Sequence, residues 1–313
     1  MRVFLSCLNK GSQMKSNNQL FLLSAIFMGC MSINLHVLAD DTEGVLEIHM
    51  QNIPSGDFIM GSCTDYEPRV IENRKRAFMG EATKGDACQP SVEAEEDEGL
   101  LRRVSIKAFQ MSTTEITLGT YKKFIAATNY RTLLTDYFIK SNSFGDDAPV
   151  VEVSWRDANA FIGWLNQVAG TGWRLPTESE WEYACLSGKD TKFCGGNIID
   201  HVAWNLNNSK GHQQNVATKS ANNFGLYDMS GNVWEWVQDC YHAKYNTDNG
   251  TAPVDGSAWI AEDDDAEDCE RVLRGGSWGG PNASHRSKNR HAASQELSTR
   301  YYGFRVARDL PEK

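Results

Sequence analysis

The sequence predicts a loop-rich α+β domain stapled by disulfides. Short stretches of alternating apolar and polar residues come first and capped amphipathic segments follow, so both strands and helices are expected. Nine Trp and 26 Gly fit a domain in which bulky rings pack irregular backbone. The cysteines beyond residue 39 are even in number and fall into sequence-neighbouring couples.

The elements follow in order. Lys10 and Lys15 precede an apolar run from Leu20 to Met31 that continues weakly to Leu38. Val37-Leu38-Ala39 then offers small residues for cleavage, with Asp40 and Asp41 beyond, so residues 1–39 are predicted to be a signal peptide and 40–313 a single domain. Ser24, Gly29, Ser32, Asn34 and His36 interrupt the run and argue against a permanent membrane anchor. Cys30 after Gly29 is a poor lipoprotein site, because Phe27 and Met28 do not fit that pattern. The mature chain is expected to be periplasmic or secreted. Leu46 to Met50 alternates as a strand, and Pro54-Ser55-Gly56 turns into a second over Phe58 to Met60. Residues 63–100 show no sustained period and are expected to form a long loop, before strand alternation returns over Val104 to Phe109.

Three helix starts come next. Thr117 caps a segment whose apolar face is Leu118, Tyr121, Phe124 and Ile125. Ser154, with Asp157 three residues on, opens one whose stripe is Ala158, Phe161, Ile162 and Leu165. Thr177 and Glu180 form a capping box for the third. From Asn197 onward only short strands are expected, such as Val233 to Trp236 and Arg271 to Arg274.

A net charge of −10 argues against a nucleic-acid partner, since phosphate binding needs a basic face. Much of that charge sits in two runs, Glu93 with Glu95 to Glu98, and Glu262 to Asp268. Both are read as solvated loops, with a cation site as the alternative. Disulfides are predicted for Cys63–Cys88, Cys185–Cys194 and Cys240–Cys269, as suits an oxidising compartment. A zinc site would need CxxC spacing, and none appears.

Seven blocks then resemble the sulfatase-modifying-factor (formylglycine-generating-enzyme) family, in its order. They are Ile53 to Ser62 (IPSGDFIMGS), Thr114 to Thr117 (TEIT), Pro149 to Trp155 (PVVEVSW), Arg174 to Ala184 (RLPTESEWEYA), Asn223 to Trp236 (NFGLYDMSGNVWEW), Arg274 to Trp278 (RGGSW) and Gly303 to Arg305 (GFR). The resemblance implies a C-type-lectin-like α+β fold with little regular structure. The residues also admit a purely structural reading, in which Arg174 and the carboxylates of Glu178, Glu180 and Glu182 form an ion-pair network.

The resemblance implies a structural calcium held by the Asp228 and Glu235 carboxylates and the Gly231 and Val233 carbonyls, donors that suit a hard cation. The alternative is that the two carboxylates simply bond loop amides. Formylglycine-generating members hold copper(I) with two cysteines downstream of the Gly-Gly-Ser block. Here Trp278 to His291 contains no cysteine, so copper is not expected. An ungapped comparison puts His285 and Arg290 at or beside the two thiol positions. Trp278, His285, Arg286, Arg290, His291 and Tyr301 are the candidate groove, suited to an anionic or aromatic ligand, to acid–base chemistry, or to copper(II) or iron(II). The leading expectation is an accessory or ligand-binding domain whose partner is a protein or small molecule of the cell envelope. The alternative is an oxidoreductase without the cysteine pair, along the lines of the family's periplasmic tailoring of pyoverdine. Formylglycine generation itself is the least favoured reading.

Overall fold

The computed structural model describes residues 46–64, 68–80, 91, 93–130, 135–247, 250–260 and 269–311. The expected signal peptide, Cys88 and the acidic run at 262–268 lie outside those residues. The N-terminal half contains β1 (Met50–Ile53), β2 (Gly56–Met60), α1 (Pro68–Phe78), β3 (Arg102–Ile106), β4 (Phe109–Ser112), α2 (Leu118–Thr128), α3 (Asp136–Ser141) and α4 (Trp155–Val168). After it come β5 (Trp173–Arg174), α5 (Glu178–Leu186), α6 (Ile199–Val202), β6 (Trp234–Cys240), β7 (Asn246–Thr247) and β8 (Gly250–Thr251). The last strands are β9 (Glu270–Arg274), β10 (Arg290–Ser294), β11 (Tyr302–Gly303) and β12 (Ala307–Asp309).

The helix starts form where local chemistry places them. The Thr117 hydroxyl accepts from the Thr120 amide, and Ser154/Asp157 and Thr177/Glu180 close capping boxes for α4 and α5. One sheet runs β1-β4-β12-β5 and another β10-β9-β6-β11. The C-terminal strand β12 inserts between β4 and β5, so Gln51 and Ala307 flank Met111 from opposite sides. Tyr121 and Phe124 of α2 meet Phe161 of α4 in a core that also holds Trp236 and Phe304. A second core surrounds Trp181 on α5.

Helix α5 is buried along its whole length, from Glu178 to Leu186. A buried carboxylate is costly unless paired, and each of the three here has an arginine. Arg290 bonds Glu178 at 2.6 Å, Arg174 bonds Glu180 at 2.6 Å, and Arg274 bonds Glu182. The structural reading of this block is the one observed.

Several expectations shift. The first strand begins at Met50: Leu46 and Ile48 pack against the core, but the ladder with β4 starts four residues later. The stretch expected as one strand over Val104 to Phe109 is two, because the chain leaves β2 at Ile106 and joins β1 at Phe109. Residues 63–100 hold α1, an amphipathic helix whose residues from Ile71 on are mostly exposed. The first acidic run is docked: Glu93 pairs with Lys192, Glu96 with Lys244, and the buried Glu98 with Arg286. The Cys185–Cys194 and Cys240–Cys269 bridges form, and Cys63 is disulfide-bonded as well.

Candidate functional site

The segment that follows Gly275-Gly276-Ser277 turns most of its polar side chains inward. Arg286 donates to Glu98 at 2.7 Å. Arg290 clamps Glu178 with bonds of 2.6 and 3.0 Å and donates to the Asp97 and His242 carbonyls at 3.0 and 2.8 Å. Burial alone would raise the Glu178 pKa, but Arg290 and Arg274 outweigh it and hold the carboxyl below its ordinary value. Both guanidiniums are thus spent on protein carboxylates.

His285 is fully buried. Its Nδ1 lies 2.8 Å from the Pro281 carbonyl and its Nε2 3.0 Å from the Ser277 carbonyl. Burial outweighs those carbonyls and pushes the imidazole below its ordinary pKa; a neutral ring carries one N–H and donates to only one of the two. His291, on β10, lies against the Trp234 ring at 5.1 Å, with Nε2 2.9 Å from the Tyr302 hydroxyl. Neither His285 nor Arg290 is left with an open valence at the expected thiol positions.

Trp278 and Tyr301 do come together, with ring centroids 4.8 Å apart. Of the six expected groove residues, only Trp278 lines a cleft of about 830 Å³. Arg286 instead lines a separate cavity of about 850 Å³. The indole Nε1 donates to the Arg300 carbonyl at 3.1 Å, which fixes the ring. The Arg300 guanidinium lies 5.1 Å from the Trp278 ring centre and 5.0 Å from that of Tyr301, and donates to the Tyr301 hydroxyl at 2.7 Å. Gly279 makes room for this stack, since a Cβ there would fall 2.6 Å from the Tyr301 ring. Tyr137 and Lys140 of α3 also line the cleft, as do Phe144 and His212, whose rings stack at 4.1 Å. Glu152 lines it too and accepts from Ser141 Oγ at 3.0 Å. Sequence reading missed Arg300, Lys140 and His212. The one available signal was the Arg-Tyr pair at 300 and 301 downstream of a Trp.

Of the expected calcium ligands, the Asp228 and Glu235 side chains are both buried. Asp228 Oδ2 accepts from the Ala217 amide at 2.7 Å, while its Oδ1 is buried with no partner. The Glu235 carboxylate takes bonds of 2.6 and 2.7 Å from Arg305 and 2.7 Å from Trp181 Nε1, which leaves about one of its four lone-pair sites. Both oxygens of buried Glu115 are also unpartnered, and its pKa is driven well up by burial and by Asp228 and Glu235. Burial pushes Asp228 up to about 6. Three carboxylates against Arg305 leave a surplus of negative charge, and the orphaned Asp228 oxygen fits a hard cation. Among the described residues no three His, Cys, Asp or Glu side chains converge on one metal point, so a cation here would depend on the Gly231 and Val233 carbonyls. The donor set does not fit copper(I): all five described cysteines are in disulfides, and no thiolate is left among them.

A family profile described as a sulfatase-modifying factor enzyme 1-like domain matches residues 46–310. A serine/threonine-protein kinase pkn1 of Chlamydia caviae is 34% identical over 163 residues, covering 52% of this chain and 24% of that protein. The formylglycine-generating enzyme of Streptomyces coelicolor is 33% identical over 180 residues, covering 51% of this chain and 52% of that one. A Bos taurus protein named inactive C-alpha-formylglycine-generating enzyme 2 is 33% identical over 177 residues, 51% of this chain and 50% of that one. The chain thus spans about a quarter to a half of these relatives' length. The structure of PvdO from Pseudomonas aeruginosa aligns with TM-score 0.64 and 31% identity, covering 83% of this chain and 94% of that one.

Proposed function

This chain belongs to the sulfatase-modifying factor family, and from that premise we propose that it is an exported member that binds a ligand and does not generate formylglycine. The observation that carries the reading is the thiol inventory. Residues 278–291 hold no cysteine, and every described cysteine is locked in a disulfide. Formylglycine generation in this family uses a cysteine pair that none of the described cysteines supplies. Disulfides fit an oxidising compartment, in line with export to the periplasm or beyond through the expected leader. Among the described residues no helix is long and apolar enough to cross a membrane. The working face in this reading is the cleft at Trp278 and Arg300. The family also holds a relative whose name marks it as inactive.

The second reading is an oxidative tailoring enzyme. It draws support from the pair of half-buried His291 and buried Tyr302 beside Trp234, an imidazole bonded to an oxidisable phenol. Calcium belongs to both readings as a brace of the loop from Asp228 to Glu235.

The test is to incubate the purified mature protein with copper(I), oxygen and a sulfatase-type cysteine peptide, and to weigh the peptide by mass spectrometry. No conversion is expected beside an active family member run as control. Conversion to formylglycine would sink the proposal.

A further inference from the structure

We infer that the 830 Å³ cleft selects a carboxylate borne next to an aromatic ring, and that Arg300 reads the charge. The inference rests on the ligand-binding reading and adds the chemical class of the ligand. Three features of the cleft carry it.

The first is a cation with no counter-charge. Among the described residues Arg300 and Lys140 have no carboxylate within ion-pair distance, and Arg300 bonds only the neutral Tyr301 hydroxyl. Glu152 is the single carboxylate of the lining, so the cleft is locally positive on a chain of net charge −10. Arg286 and Arg290, by contrast, are ion-paired with Glu98 and Glu178.

The second is preorganisation. A free arginine on a surface pays rotamer entropy to hold a ligand. The Arg300 guanidinium lies over both the Trp278 and Tyr301 rings and is tied by a 2.7 Å bond, so its remaining N–H edges are already aimed. A planar fork in that state suits a carboxylate, which can accept two bonds at once.

The third is apolar surface beside the charge. Tyr137 and Phe144 are exposed large side chains in the same lining, and Phe144 is held flat against His212. A ring on the ligand gains contact area there at little entropic cost.

The experiment compares N-acetyl-L-tyrosine, a carboxylate, with N-acetyl-L-tyrosinamide, its neutral isostere, by isothermal titration calorimetry on the mature protein. The acid is expected to bind about 10-fold or more tighter than the amide, as a charge-assisted bond requires, and rising NaCl should erode that gap. R300Q should bring the two probes to parity with circular dichroism unchanged, and R300K should restore part of the preference. Equal binding of acid and amide to the parent protein would overturn the inference, as would a preference that survives R300Q, or no binding of either probe. None of these outcomes bears on formylglycine generation, which the peptide oxidation assay decides separately.

Discussion

Arg290 and His285 carry the sharpest residue-level consequences, because each is buried with its polar groups committed. R290A would strand Glu178 in the core with Arg274, 3.6 Å away, as its remaining ion-pair partner. The expected cost is about 3–5 kcal/mol, read by urea unfolding, with a smaller loss when Glu178 is made apolar in the same chain. For His285 the folded-state pKa lies below the unfolded one, so the folded chain holds fewer protons than the unfolded chain just under that unfolded value. Its contribution is complete above about pH 6.5 and is lost as pH falls from there towards the folded pKa. H285Q should therefore flatten the dependence of Tm on pH just below about 6.5. Asp228 works in the opposite sense. Its pKa is pushed up to about 6, so without a bound cation the fold loses stability as pH rises from about 4 through 6. Added calcium should raise Tm more at pH 7 than at pH 5, and D228A should remove the difference. Residue types at these positions were plain in the sequence, whereas burial was not. An arginine that will face Glu178 reads the same as one that will face a ligand.

At the scale of elements, caps were legible and ladders were not. Thr117, Ser154 and Thr177 act within three or four residues, so their chemistry is complete in the local sequence. Strand β10 escaped notice because its first two residues are Arg and His, and no tight hairpin turn marks the loop that brings Arg290 back opposite Arg274 of β9. Helix α3 is six residues long and was passed over for want of a period. Two elements invite direct tests. Gly231 has φ +87°, and a Cβ there would fall 2.4 Å from the Trp204 carbonyl oxygen, so G231A should cost about 2–4 kcal/mol in unfolding experiments. The Cys240–Cys269 bridge closes a separation of 29 residues, and removing it as a double Ala variant should cost about 3–4 kcal/mol.

For the molecule as a whole, the ordered blocks made the fold readable because each one is a junction. The Arg174 block supplies a buried helix and one of its three counter-charges, and the Gly303 block supplies Arg305, which holds Glu235. The site was harder to read, since a cleft is made of what the core leaves over. Trp278 was found, while Arg300 and Lys140 lay in stretches with no motif. Strands β1 and β12 bear on a different matter. Both pair with β4, on opposite sides of Met111, and run parallel to each other. Two strand spacings and a strand length then separate the point where the chain enters the sheet from the point where it leaves, about 15 Å in all. A unit with such closely set attachment points can be spliced into or onto another polypeptide with short connectors and little disturbance of either partner. That portability accords with a matched region that occupies only a quarter of a chlamydial kinase.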